Sequence, residues 1–244
     1  MARAKDHDRW AQYAALPLAF AYVIRPTNSI PVLLFTLYVL VYHRRYFIRF
    51  ALWSLPVAVP FILYSLVLFG SLLPPYYLPS RIGAESHFWE ALGGNLFSPN
   101  RGLLVFTPFL AFALASPFTR LRSSQRQPLD LFILAAFLLH WLTVSSFPHW
   151  WGGHCYGPRF FTDMVPFLIW LLLPFVAALP RYAGTYRGRI AIGLFAVLVS
   201  FSAFVHIRGA FAKETKEWNT APQNVDFHSQ RLWNWGDMQI FRGF

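Results

Sequence analysis

Cysteine is almost absent from this chain of 244 residues; Cys155 stands alone, which excludes a disulfide scaffold. Charge is scarce as well. Asp, Glu, Lys and Arg supply 13% of the residues, about half the share usual in a soluble globular domain. Carboxylates are the scarcest charged groups, ten against 21 Lys and Arg, for a formal net charge of +11. There is no internal repeat, low-complexity tract, heptad pattern or N-x-S/T acceptor, so solenoids and coiled coils are excluded. What the chain has instead is apolar surface: 56% hydrophobic residues, including 26 Phe, 11 Tyr and 10 Trp. A water-soluble particle of this size could not hide so much of it, and a disordered chain would not carry it. The basic residues fall in small groups between long apolar runs. That is the pattern of a membrane protein with basic loops on one side, not of a nucleic-acid surface.

Uncharged stretches run 10–24, 26–42, 50–80, 102–119, 131–158, 164–180 and 190–207. About 20 apolar residues are needed to cross ~30 Å of hydrocarbon as a helix. The pattern therefore predicts an all-α, multi-spanning transmembrane bundle of about seven helices. The first two are short, and the tight turn Arg25-Pro26-Thr27-Asn28 joins them because Pro26 cannot continue the preceding helix. Groups of three cations flank alternate spans: Arg3, Lys5 and Arg9; Arg44, Arg45 and Arg49; Arg120, Arg122 and Arg126; Arg181, Arg187 and Arg189. The other loops carry Arg25, then Arg81 and Arg101, then Arg159. The positive-inside rule puts the N-terminus in the cytoplasm and the C-terminal tail outside. The expected organisation is a transmembrane region over 1–206 and a short extracytoplasmic tail over 207–244, packed on the outer face. Ala19-Phe20-Ala21 fits a signal-peptide cleavage pattern, but Asp6, Asp8 and Pro17 argue against one.

Three segments on the expected outer side hold the polar chemistry. In the first, His87, Trp89, Glu90, Leu92 and Leu96 mark a short amphipathic helix, and Ser98-Pro99-Asn100-Arg101-Gly102 a turn into the fourth span, with Arg101 facing the headgroup layer. The second is the glycine-rich run from Phe147 to Asp163, which gathers Trp150, Trp151, His154, Tyr156, Arg159 and Asp163. Its tryptophans suit an aromatic belt or stacking on a sugar. Arg159 suits either an ion pair with Asp163, four residues on, or a two-pronged contact to a lipid phosphate, with Arg101 as a second cation. His149, His154 and Cys155 match no zinc spacing, so no metal and no cofactor is expected; a divalent ion would be unsupported. His140 and His206 read as packing residues within spans. The third segment is the Trp-rich tail, with Arg231-Leu232-Trp233-Asn234-Trp235.

Arg25-Pro26-Thr27-Asn28, Ser98-Pro99-Asn100-Arg101-Gly102-Leu103-Leu104-Val105-Phe106-Thr107-Pro108, and Trp151-Gly152-Gly153 leading to Tyr156-Gly157-Pro158-Arg159 resemble the C-terminal half of bacterial integral-membrane glycosyltransferases. These are the enzymes akin to protein O-mannosyltransferases and lipid A aminoarabinose transferases. The resemblance implies a polyprenyl-phosphate-linked sugar as donor, chemistry on the outer face of the cytoplasmic membrane, and a catalytic acid in the first outer loop. No such loop is found here. Asp6-His7-Asp8 precedes every span, and Glu85 and Glu90 fall in a later loop. The catalytic residues are therefore unassigned, and the expectation is a truncated or split member. Its carboxylate base would come from a separate polypeptide carrying the catalytic half. The substrate-binding residues expected are Arg101, Trp150, Trp151, His154, Tyr156, Arg159 and Asp163. A non-catalytic membrane assembly subunit is the alternative. A transporter fits less well, since the spans hold almost no charge.

Overall fold

The computed structural model describes residues 8–77, 87–121 and 127–244, with 116–121 described by backbone alone. Arg3, Lys5, the Asp6-His7 pair, Arg81, Glu85, Arg122 and Arg126 lie outside the described residues. Among the described residues the chain is all-helical. The α-helices are α1 (Ala15–Ile24), α2 (Ser29–Tyr42), α3 (Phe47–Phe69), α4 (Phe88–Phe97), α5 (Leu103–Phe106), α6 (Leu110–Leu121), α7 (Pro128–Ser145), α8 (Val165–Tyr182), α9 (Tyr186–Phe211) and α10 (Lys213–Glu217). Short 3-10 turns lead into several of them, notably Asp8–Ala14, Arg44–Tyr46 and Arg159–Met164.

Among the described residues, four helical segments are long and apolar enough to cross a membrane: Arg44–Phe69, Pro128–Ser145, Arg159–Tyr182 and Tyr186–Phe211. Their outward faces are apolar. Only Phe50 and Ser65 are buried along α3, while Val67 is 82% and Ile48 74% exposed. Leucine-, valine- and phenylalanine-covered helices of this kind need a hydrocarbon solvent, because a water-exposed apolar patch this continuous would drive aggregation. The helices contact a lipid bilayer.

The first two expected segments are short, as their sequence implies, and the fourth is broken. The segment 10–24 is a 3-10 turn followed by the ten residues of α1, and α2 has 14 residues. At 1.5 Å per residue α2 reaches about 21 Å, short of the hydrocarbon thickness. The run 102–118 is not one helix. Thr107 closes α5 by donating its backbone N–H and its Oγ1 proton to the Leu103 carbonyl, at 2.8 and 2.6 Å. Pro108 then has no N–H to continue the ladder and holds Thr107 out of helical geometry, at φ −135° and ψ 63°. The helix restarts at Leu110. By contrast α9 continues five residues beyond the expected 206, to Phe211, with Thr185 Oγ1 accepting from the Gly188 N–H at its start.

The chain divides into two compact units, residues 1–82 with 127–143 and residues 83–126 with 144–244. In the first, α1 packs on α3, and the Tyr38 and Tyr42 rings of α2 meet Phe132 of α7 edge-on at 5.3 and 6.2 Å. Prolines 56 and 60 interrupt the α3 ladder and line an apolar cleft of about 650 Å³ with Phe20, Phe61 and Tyr77. In the second, α6, α8 and α9 meet through Phe112 stacked on Phe175 at 4.4 Å and Phe195 edge-on to both. All the expected site residues, and the tail, belong to the second unit.

Candidate functional site

The site is built from three loops. The turn 98–102 leaves α4, the glycine-rich run 147–163 leaves α7, and the tail leaves α9. Local chemistry shapes the first. Ser98 Oγ accepts from the N–H groups of Asn100 and Arg101 and donates to the Leu232 carbonyl at 2.6 Å. Asn100 donates to the Arg231 carbonyl and accepts from the Gln239 N–H at 2.6 Å. The second loop turns on Gly152, Gly153 and Gly157, which sit at φ 77°, 70° and 63°. A side chain at Gly157 would also run into the Phe106 ring, because its Cβ would lie 2.7 Å from a ring carbon.

Arg101 holds these loops together. Its side chain is 1% exposed, and each of its five N–H groups has a protein acceptor. Nε donates to the Trp151 carbonyl at 3.0 Å; Nη1 donates to the Asn100 carbonyl and Gln239 Oε1 at 2.6 and 2.7 Å; Nη2 donates to the Gly153 carbonyl and Asn219 Oδ1 at 3.3 and 2.6 Å. None of these acceptors is a carboxylate. Burial pulls the guanidinium below its ordinary pKa range, with Cys155 and Asp226 acting in the opposite direction. Arg101 therefore does not face a headgroup layer, and no donor remains for a ligand phosphate.

Trp218 lies fully buried, with the guanidinium carbons of Arg101 and Arg231 at 5.5 and 4.3 Å from its ring centroid. Arg231 reaches the carbonyls of Trp218, Ala221 and Gln223 and pairs with Asp237 at 2.9 Å. Gln239 is wholly buried and bonds four further partners: Arg101, the Gly157 N–H, and the carbonyls of Cys155 and Thr215.

Most of the other expected ligand-binding residues also serve the fold. Trp150 is 2% exposed and covers Gly94 so closely that a Cβ there would lie 2.3 Å from the indole. Trp151 is buried, and its Nε1 donates to Asp226 Oδ1 at 2.8 Å. Tyr156 packs on Phe106 and donates to the Val205 carbonyl at 2.8 Å; burial pushes its phenol up to about 12, against the pull of the Arg208 charge. Glu90 accepts from Trp233 Nε1 at 2.9 Å and lies 3.3 Å from His87, so it binds α4 to the tail.

The rim is different. His154 is exposed, with Nε2 at 2.9 Å from Asn224 Oδ1 and 3.2 Å from Asp226 Oδ2. Arg159 is exposed at the start of the 3-10 turn that opens the apolar α8, and its Nη1 donates to the Gly152 carbonyl at 3.3 Å. Asp163 is half-buried in the same turn. Among the described residues no group of three or more His, Cys, Asp or Glu side chains could hold a metal. Trp218, Asn224, Asp226, Arg231 and Gln239 of the tail, and Asn100 of the 98–102 turn, were not among the expected ligand-binding residues. The sequence signal of the tail residues was its density of Trp, Asn and Arg. Comparison with known proteins finds no matching family model, no matching curated protein and no matching solved structure.

Proposed function

We propose that this chain is a multi-pass protein of a bacterial cytoplasmic membrane and binds a polyprenyl-phosphate-linked sugar at its outer face, as the carrier-binding part of a glycosyltransferase. The topology proposed is seven segments with a cytoplasmic N-terminus, the two short helices forming a hairpin and α5 and α6 together forming the fourth segment. The three-loop site and the tail then face outward. Arg159 carries the reading. It is an exposed guanidinium at the point where an apolar span begins, and on this reading it meets the lipid phosphate there. Its planar fork suits two phosphate oxygens at once.

Purified chain in nanodiscs should bind undecaprenyl phosphate. Arg159→Lys keeps the charge and loses the fork, so affinity should fall about tenfold, or ~1.4 kcal/mol. Arg159→Ala should lose on the order of 100-fold. Equal binding by the parent and both variants would leave Arg159 a structural residue only. In that event the second reading, a non-catalytic assembly subunit, gains. It is favoured by the complete use of Arg101, and the extensive use of Arg231 and Gln239, in holding the tail.

A further inference from the structure

The tail segment 219–228 presents a small polar site of its own. Val225 is fully buried beside Trp151 and Trp218 and pins the segment, and its N–H donates to the Asn219 carbonyl at 2.9 Å. Asn224 Oδ1 accepts from the Asp226 N–H at 2.9 Å, which tightens the turn. Trp151 Nε1 holds Asp226 Oδ1, so Oδ2 is aimed at His154. Two acceptors, Asp226 Oδ2 and Asn224 Oδ1, flank His154 Nε2. That surrounding places a ring proton on Nε2.

Hydrogen-bonding capacity is left over. Among the described residues His154 Nδ1 and the Asn224 side-chain NH₂ have no protein partner, and a carboxylate oxygen accepts more than the one contact Asp226 Oδ2 makes. His154 and Asp226 remain 40% and 34% exposed, so these groups are open to solvent.

We infer that Asn224, Asp226 and His154 form a recognition site for adjacent hydroxyls of a saccharide. A sugar hydroxyl both donates and accepts. One hydroxyl can donate to Asp226 Oδ2 while it or its neighbour accepts from the Asn224 NH₂, and His154 Nδ1 can meet a further hydroxyl, which is able both to donate and to accept. The Asp226 charge repels a phosphate, so this site reads the sugar and not the carrier. The inference rests on the preceding reading only for the source of the sugar. A soluble glycoside has the same hydroxyls without the lipid.

The full chain in nanodiscs is tested by saturation-transfer NMR against methyl α-mannoside, methyl α-glucoside and methyl α-galactoside, and separately against undecaprenyl phosphate. At least one glycoside should bind at millimolar concentration. His154→Ala, on the exposed rim, and Asp226→Asn, which keeps the acceptor for Trp151, should each weaken that glycoside at least fivefold while tryptophan emission stays that of the parent. If no glycoside binds, or if both variants bind it like the parent, the site is not a saccharide site. Glycoside binding without undecaprenyl phosphate binding sinks the carrier reading and keeps this one. The reverse pattern does the opposite.

Discussion

Arg101→Ala should release the tail and lower stability by ~3–5 kcal/mol, because several buried acceptors lose a donor at about 1–3 kcal/mol each. Five acceptors lose a donor at once, the carbonyls of Asn100, Trp151 and Gly153 and the side chains of Asn219 and Gln239, although Gln239 Oε1 keeps the Gly157 N–H and the Trp151 carbonyl keeps the Cys155 thiol. Each is buried or nearly so, and a buried acceptor without a donor costs about 1–3 kcal/mol. Arg101→Lys should rescue little. Lysine offers three donors from one point, whereas these five acceptors surround a planar fork. Thermal unfolding in detergent measures the loss. Limited proteolysis should show cleavage between 212 and 244 that the parent resists. A variant that unfolds within a degree or two of the parent would mean that Arg101 does not organise the tail.

Trp218→Ala should cost ~3–5 kcal/mol, the usual range for a fully buried tryptophan. Two further terms act here. The indole Nε1 donates to the Asp237 carbonyl at 2.9 Å, and the ring lies under both Arg101 and Arg231. Without the ring the two cations lose its π face, and a cavity remains. Trp218→Phe should recover most of the packing but not the hydrogen bond, leaving a deficit of about 1 kcal/mol. A double-substitution cycle with Arg231→Met reports the stacking directly. Strict additivity would show that ring and guanidinium do not interact.

The lipid-facing helices were readable from residue pattern alone, because a gap in charge and an apolar run of about 20 residues are both local properties. The observed α7 begins three residues before the expected 131, and the turn at Pro26 falls where the proline dictates. The break between α5 and α6 was also written in the chain, at Thr107-Pro108. A hydropathy run does not register it, since neither residue carries charge and Thr107 hides its hydroxyl on the Leu103 carbonyl. The site was legible only in part. His154 and Arg159 stand out by type within a glycine-rich loop, and both lie on the rim. Arg101 stands out equally, yet its partners Asn219 and Gln239 are 118 and 138 residues away. No local signal separates an arginine that faces lipid from one enclosed by its own tail. Asp226 was invisible for the same reason, since its meaning comes from Trp151 and His154, 75 and 72 positions earlier.

The sidedness of the three-loop site is the claim on which the lipid-phosphate reading depends. It is tested most directly by thiol labelling in intact cells with a membrane-impermeant maleimide. Two chains are compared in a Cys155→Ser background: H154C, on the exposed rim of the site, and G184C, in the turn between α8 and α9 where an added side chain meets no neighbour. The expected result is that H154C labels in intact cells and G184C only after the inner face is opened. Labelling of G184C from outside, with H154C protected until the membrane is breached, would contradict it.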